Sequence, residues 1–221
     1  MIQKNDFIEF DYTGKFVDDN ELFDTTKESV AKENGLYNEN NKKTFVPLIV
    51  CVGQRQVVQG LDDALIGKNV GEEFKVTVTP ENGFGKKRSE LMNLMSLNTF
   101  KKQDIRPFPG LQVNIDNQFG VVKTVSGGRI IVDFNHPLSG KDLLYEVKIL
   151  KQITDIKQKI GLTLKSLFQL NGDVTYNKDD NTASIKLKLP QVADKDVIEN
   201  LETKLKEKLK EIVGVEVTIH M

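Results

Sequence analysis

Several short stretches of the chain alternate between hydrophobic and polar residues, as strands do when one face is buried. In IEFDYTG the side chains of Ile8, Phe10 and Tyr12 share one face, and FKVTV and LLYEVKIL alternate in the same way. The run PLIVCVG is apolar throughout, which is typical of a strand buried on both faces. These patterns predict a compact, β-rich domain at residues 1–85 and 136–152.

Residues 86–135 interrupt this pattern. Basic residues are mixed there with Leu, Met and Phe, and GVVKTVSGGRIIVDF predicts a hairpin that turns at Gly127–Gly128. An insertion whose two ends leave the parent fold at adjacent points costs little chain entropy. We therefore interpret residues 86–135 as a second domain inserted into the first.

Residues 153–221 show a third pattern, in the order α-β-β-α-β. DIKQKIGLTLKSLFQL is typical of a helix, DVTYN and TASIKLKLP are strands joined by the polar turn KDDN, and VEVTI is a last strand. The helix before VEVTI carries an apolar stripe formed by Ile198, Leu201, Leu205, Leu209 and Ile212. This order predicts a small C-terminal α/β sandwich domain. Because a unit of this size has a marginal core by itself, the pattern favours a homodimer through the C-terminal domain.

Charge and composition argue against several classes of function. Lys and Arg number 31 against 32 Asp and Glu, so the chain lacks the basic excess with which nucleic-acid binders neutralise phosphates. The N-terminus lacks a signal-peptide pattern, and no apolar run approaches the roughly 20 residues of a membrane span. With one cysteine and two distant histidines, we expect a cytoplasmic protein without disulfide, metal or cofactor. Nucleic acid and membrane are not expected as partners.

The residues that could carry covalent or acid–base chemistry have simpler structural interpretations. Cys51 lies inside the apolar run with no His or Lys close in sequence, which favours a buried structural thiol. His136 has no second ligand to join it and precedes Pro137, so a role in a turn is favoured. Asp62 and Asp63 fall in the first turn of a short predicted helix, where negative charge meets the positive end of the helix dipole. An apolar binding wall remains as the candidate for function.

An ordered set of motifs carries a more specific signal. DYTG, FDTT, PLIVCVGQRQVVQGLDDALIG, VGEEFKVTVTPENGFG and NHPLSGKDLLYEVKIL follow one another over residues 1–152. Together they resemble the FKBP-type peptidyl-prolyl cis–trans isomerases, and in particular the SlyD-like archaeal long forms with a domain inserted in the flap. The resemblance implies an α+β fold. It would consist of an antiparallel FKBP half-barrel sheet with a short helix, a β-rich insert-in-flap domain and the small C-terminal domain.

The resemblance also implies which residues form a proline-binding pocket. By their positions in these motifs, the catalytic residues would be Tyr12, Asp24, Phe84 and Tyr145. The substrate-binding walls would be formed by Phe23, Leu48, Val57, Val58, Leu61 and Leu138. Phe84 stands where the family usually has tyrosine, and the chain has no Trp, so we expect modest affinity for macrolide inhibitors.

The inserted domain is implied to hold unfolded clients and to deliver their prolines to the pocket. Its candidate client-binding residues are Leu91, Met92, Leu94, Met95, Leu97 and Phe100. Unbranched Met adapts to varied partners, and core packing of the insert is the alternative role for each residue. The resulting hypothesis is an isomerase with holdase activity that acts on unfolded or partly folded polypeptides with Xaa–Pro bonds. The alternatives are a pure chaperone with a decayed isomerase pocket and a multidomain scaffold or dimerisation protein.

Overall fold

The computed structural model describes residues 1–38, 45–101, 104–187 and 195–220. Its main elements in chain order are β1 (Phe7–Phe16), β2 (Leu22–Thr25), α1 (Glu28–Glu33), β3 (Leu48–Cys51), α2 (Gln59–Leu65), β4 (Glu73–Val78), β5 (Met92–Ser96), α3 (Leu97–Lys101), β6 (Gln112–Ile115), β7 (Gln118–Ser126), β8 (Arg129–Asp133), β9 (Leu143–Ile153), α4 (Ile156–Phe168), β10 (Gly172–Asn177), β11 (Thr182–Leu187), α5 (Lys195–Val213) and β12 (Glu216–His220). They fall into two compact units, residues 1–77 with 144–221 and residues 78–143. The second unit contains the whole of the predicted insert, whereas the first joins most of the predicted isomerase domain to the C-terminal domain. The predicted domain boundaries stay a prediction.

The main sheet of the first unit is built around the long strand β1. Its order is β2–β1–β9–β4, and β3 also pairs with β1. The first half of β1 pairs antiparallel with β3 up to Phe10, and the antiparallel pairing with β2 begins at Thr13. Tyr12 therefore lies where β1 changes partner. The alternation predicted for β9 is confirmed, since its buried residues include Leu143, Tyr145, Val147 and Ile149.

The C-terminal module, residues 153–221, has the predicted order of elements. β10 pairs antiparallel with β11, and β11 pairs in parallel with β12. One face of this sheet is covered by the two helices, through Ile160 and Leu164 of α4 and Leu205 and Leu209 of α5. The predicted packing of helices on a small sheet is confirmed.

The C-terminal module also shares a hydrophobic cluster with the main sheet. Ile212 of α5 is buried together with Phe7, Cys51 and Ile153, and Leu167 of α4 packs against them. The last residue of the apolar stripe predicted for α5 is therefore covered within the chain itself. The homodimer expected through this module stays a prediction.

The sheet of the second unit has the antiparallel order β5–β8–β7–β6. The predicted hairpin is confirmed, because Ser126 of β7 pairs with Arg129 of β8 across a two-residue turn. Gly127 and Gly128 have φ values of 53° and 76°, the left-handed conformation that a tight hairpin turn of this kind requires at both positions. The core of this unit consists of Phe100, Val113, Val122, Ile130 and Val132.

Candidate active site

Tyr12 and Asp24 are joined by a short hydrogen bond in the first unit. Tyr12 Oη donates to Asp24 Oδ2 at 2.6 Å, and the backbone N–H of Thr25 donates to Asp24 Oδ1 at 2.9 Å. Burial, followed by the hydrogen bond to Asp24, raises the pKa of Tyr12 well above its ordinary value. The hydroxyl therefore stays protonated at neutral pH and remains a donor to the carboxylate. The pairing implied by the family resemblance is present.

Thr25 and Thr26 form hydrogen bonds with the backbone of Tyr12 at the point where β1 changes its partner strand. Thr26 Oγ1 accepts from the N–H of Tyr12 at 3.0 Å and donates to Asp11 Oδ1 at 2.7 Å. The N–H of Thr26 and Oγ1 of Thr25 both donate to the carbonyl of Tyr12, at 3.1 and 3.0 Å. Both backbone polar groups of Tyr12 are thus satisfied. From the sequence, Thr25 was expected to cap a helix with Glu28, and neither threonine was connected with Tyr12, although two hydroxyl residues directly after Asp24 are a signal for local bonds to the backbone.

Aromatic rings surround the Tyr12–Asp24 pair. The ring centroids of Tyr12 and Tyr145 are 6.0 Å apart, and Phe23 meets Tyr145 edge to face at 5.7 Å. Phe16 lies 5.3 Å from Phe23. Burial, with a smaller contribution from the Asp24 carboxylate, raises the pKa of Tyr145 to about 12. The result is an aromatic surface around one hydrogen-bonded carboxylate, which suits the binding of an apolar ring.

Gly14 makes room for Phe23 in this cluster. A Cβ atom at position 14 would lie 2.5 Å from Cζ of Phe23, which is too close for two carbon atoms. The glycine of the DYTG motif is therefore a packing requirement of the aromatic surface. From the sequence, this glycine was identified only as part of the motif, and its packing role was not predicted.

The other wall residues expected in the first unit lie on β3, on α2 and between them. Leu61 is buried on α2, Val57 and Val58 are half-buried just before the helix, and Leu48 is half-buried at the start of β3. The structure brings Tyr12, Phe23, Asp24 and Tyr145 into contact. The convergence of the other expected wall residues on this group stays a prediction.

Asp62 supports the loop that precedes α2. Its side chain is 1% exposed, and its two oxygens accept from the backbone N–H groups of Gly53 and Arg55, each at 2.9 Å. Asp63 is exposed and forms an ion pair with Arg55 at 3.0 Å. Cys51 is buried, and burial raises the pKa of its thiol to about 12. The buried thiol confirms the interpretation of Cys51. Asp62 lies in the first turn of α2 as predicted, but its carboxylate binds the preceding loop, and Asp63 lies beyond the first turn and pairs with Arg55.

Phe84 and Leu138 belong to the second unit. Phe84 stacks face to face on His136, with ring centroids 4.4 Å apart and planes 6° from parallel. The N–H of Leu138 donates to His136 Nδ1 at 3.2 Å, and the N–H of Ser139 donates to the carbonyl of His136 at 2.9 Å. Ser139 Oγ also donates to the carbonyl of Phe84 at 3.0 Å. The turn predicted at His136 is confirmed, and it holds Phe84 by both its ring and its backbone.

The six candidate client-binding residues divide between the core and the surface of the second unit. Phe100 is 2% exposed and fills the core, and Met95 and Leu97 pack against the same cluster. Leu94 is 65% exposed and Met92 is 42% exposed. Leu91 is half-buried. The expectation for Phe100 is corrected accordingly, because a ring enclosed by the sheet and α3 offers no surface to a client.

Phe119 is a large exposed residue that the sequence analysis missed. It is 78% exposed at the start of β7. Because Gly120 and Val122 of the same strand are buried, Phe119 and Val121 point to the opposite, outer face. Met92 shares this face, since both it and Val121 pair with the same residue of β8. Alternation alone would place Phe119 and Val121 on the buried face, so the exposure of Phe119 could not be predicted from this pattern.

Two classes of feature are absent from the residues that the structure describes. Those residues include no helix long and apolar enough to cross a bilayer. They also contain no group of three or more His, Cys, Asp or Glu side chains arranged to hold a metal ion.

Known proteins share sequence with this chain. Residues 93–138 match a family described as "FKBP26, IF domain". The Short-type peptidyl-prolyl cis-trans isomerase of Methanocaldococcus jannaschii is 32% identical over 149 residues, which cover 67% of this chain and 92% of that protein. The chain belongs to the FKBP-type peptidyl-prolyl isomerase family. The family predicted from the motifs and the α+β FKBP fold with an inserted domain are thereby confirmed.

Bacterial FKBP proteins share shorter regions with the chain. The FKBP-type isomerase SlyD of Haemophilus influenzae is 32% identical over 107 residues, covering 47% of this chain and 56% of that protein. The FKBP-type 16 kDa isomerase of Escherichia coli is 24% identical over 123 residues, covering 54% of this chain and 83% of that protein. The SlyD-like character inferred from the motifs agrees with these similarities.

Proposed function

We propose that this FKBP-family chain is a peptidyl-prolyl cis–trans isomerase that acts on Xaa–Pro bonds of unfolded or partly folded polypeptides. The observation that carries the proposal is the Tyr12–Asp24 pair, hydrogen-bonded at 2.6 Å beside the rings of Phe23 and Tyr145. Similarity to proteins named peptidyl-prolyl cis-trans isomerases supports the same conclusion.

The chemistry of this reaction requires an apolar binding site more than a reactive group. Rotation about the Xaa–Pro bond breaks no covalent bond, and amide resonance sets its barrier at about 20 kcal/mol. Water stabilises the planar, more polar amide, so a dry apolar site favours the twisted amide. Each ~1.4 kcal/mol of such preferential stabilisation accelerates rotation tenfold.

The residues of the cluster have separate roles in this mechanism. The rings of Phe23 and Tyr145 supply the apolar surface for proline. Tyr12 and the N–H of Thr25 hold the Asp24 carboxylate by direct hydrogen bonds, which reduces its need for water in the apolar site. Asp24 is then a fixed negative charge beside the bound amide.

Substitution of Asp24 tests the isomerase proposal. We expect the wild type to accelerate proline-limited refolding of a protein. Asp24→Ala should lower kcat/KM on a proline tetrapeptide by about tenfold or more, because it removes the negative charge beside the bound amide and a loss of ~1.4 kcal/mol in the transition state is tenfold in rate. Asp63→Ala is the matched control, since it removes an exposed carboxylate that pairs only at the surface with Arg55. A wild type that accelerates neither refolding nor tetrapeptide rotation would refute the proposal in favour of a pure chaperone.

We also propose that the second unit holds clients through its outer insert face, defined as Met92, Leu94, Phe119, Val121 and Ile131. Strand pairing supports a common face. Leu94 pairs with Ile131 of β8, and both Met92 and Val121 pair with Asp133 of the same strand. Leu94 and Phe119 are mostly exposed. Large exposed apolar groups on one face favour the binding of other apolar chains.

Two serine substitutions test the holdase proposal. We expect Leu94→Ser with Phe119→Ser to lose suppression of client aggregation and to slow catalysed refolding, while tetrapeptide kcat/KM stays unchanged. Val70→Ser is the control, because Val70 is an exposed apolar residue of the first unit. If the double variant suppressed aggregation as well as the wild type did, the outer insert face would have no role in client binding.

A further inference from the structure

The loop between β3 and α2 carries two of the residues expected to form the substrate-binding walls, Val57 and Val58. It has no regular structure between Gly53 and Val58, and its residues are mostly half-buried. Asp62 of α2 holds the start of this loop through two backbone N–H groups. The end of the loop, directly before Val57, depends on other contacts.

Gln56 makes the first of these contacts. Its Oε1 accepts from the N–H of Cys51 at 2.7 Å, and its Nε2 donates to Ser166 Oγ of α4 at 2.7 Å. Ser166 Oγ in turn donates to the carbonyl of Leu162 at 2.7 Å. One side chain therefore connects β3, the residue before Val57 and a helix of the C-terminal module.

Asn5 makes a second, separate contact. Gln54 Nε2 donates to Asn5 Oδ1 at 2.8 Å, and Asn5 Nδ2 donates to the carbonyl of Glu211 on α5 at 3.1 Å. Asn5 has a φ of 73°, a left-handed conformation that Asn tolerates better than most residues. Both helices of the C-terminal module thus reach the same loop, beside the apolar cluster that joins the module to the main sheet.

We infer that the C-terminal module positions the substrate-binding loop of the isomerase, with Gln56, Ser166 and Asn5 as positioning residues. The inference rests on the proposed isomerase function. Contacts that hold the loop in its competent conformation matter because apparent substrate affinity falls in proportion to the fraction of molecules that adopt that conformation. Two hydrogen-bonded connections to rigid helices raise that fraction without touching the substrate. The module is then a part of the isomerase site and not only an attached domain.

Kinetics of the full chain test this inference. We expect Ser166→Ala to raise KM for a proline tetrapeptide about threefold with kcat unchanged, because saturating substrate restores the competent loop. Asn5→Gly, which keeps the left-handed backbone, should do the same, and the two changes together should raise KM about tenfold. Lys165→Ala is the control, because Lys165 is an exposed neighbour of Ser166 on α4. Unchanged KM in both variants of an active enzyme, or an equal rise in Lys165→Ala, would overturn the inference.

A second measurement separates this inference from the isomerase proposal. The backbone amide resonances of Val57 and Val58 should shift in Ser166→Ala and stay in place in Lys165→Ala, whether or not the wild type is active. Shifted amides in an inactive protein would refute the isomerase and leave the loop contact established. Amides that do not move in Ser166→Ala would refute the positioning role directly.

Discussion

Replacing Tyr12 by phenylalanine removes one oxygen and keeps the aromatic ring in place. That oxygen donates to Asp24 at 2.6 Å, and a hydrogen bond to a charged group contributes ~1.5–3 kcal/mol. In the variant, Asp24 still accepts from the N–H of Thr25, and Asp24 is only half-buried. We therefore expect the free energy of unfolding to fall by about 1.5 kcal/mol, the lower end of this range. For a chain of this length the loss corresponds to a decrease in Tm of about 3–6 °C.

The same substitution should also impair catalysis. Without the phenol, Asp24 loses the short hydrogen bond that helps to hold its orientation beside the aromatic rings. If the whole of this lost interaction stabilises the transition state, kcat/KM should fall roughly tenfold, since each ~1.4 kcal/mol of lost stabilisation is a factor of ten in rate. Urea unfolding gives the free energy, and exchange NMR on a proline tetrapeptide gives the rate without a coupled protease.

Tyr176 offers a matched control for this experiment. Its hydroxyl donates to Asn181 Oδ1 at 3.0 Å in an exposed and uncharged pair, so Tyr176→Phe should change stability by less than about 0.5 kcal/mol. If Tyr12→Phe unfolded at the same urea concentration as the wild type and kept its full kcat/KM, the short hydrogen bond would have no part in holding Asp24.

Further predictions concern packing, pH and the C-terminal module. Gly14→Ala should displace the ring of Phe23 and raise the KM for a proline tetrapeptide. It should also lower the free energy of unfolding in urea by ~1–3 kcal/mol, and an unchanged KM would contradict the packing role of Gly14. Because burial raises the pKa values of Tyr145 and Tyr12, the unfolded state loses these protons first as pH rises. Above about pH 10, the free energy of unfolding measured in urea should therefore fall with rising pH, by up to ~1.4 kcal/mol per pH unit for each of the two tyrosines. Tyr145→Phe should make this fall less steep. Ile212→Ala should lower the urea unfolding free energy by about 2–4 kcal/mol, and a loss below about 0.5 kcal/mol would show that the shared cluster is not formed in solution.

Local sequence patterns were sufficient to predict a structural feature where its partner residues lie close in sequence or where the hydrophobic periodicity is strong. The alternation of β9, the hairpin at Gly127–Gly128 and the order of elements in the C-terminal module follow from such patterns, and the structure confirms them. The buried state of Cys51 follows from the apolar run around it. Each of these features is decided by neighbours within a few residues or by which face of one element is apolar.

Periodicity did not determine which apolar residues of the insert are exposed. Phe100 and Phe119 are equally hydrophobic, yet the first fills the core and the second faces outward, because strand register and the position of α3 decide which side is covered. The hydrogen bonds between the two threonines and Tyr12 were not predicted, for a related reason. Their bonds form only where β1 changes partner from β3 to β2, and that point is defined by pairing between distant segments.

The sequence by itself determined the family, through its ordered motifs, and the order of elements in the C-terminal module, through short-range periodicity. The pair of Tyr12 and Asp24 was implied by the resemblance to that family. Only the tertiary structure decided what covers the end of the stripe on α5 and what holds the loop before Val57. An apolar stripe specifies that a helix is covered and does not specify the covering surface, which at Ile212 is the main sheet of the same chain. The contact between Gln56 and Ser166 spans 110 residues, so it exists only once both segments have folded against each other.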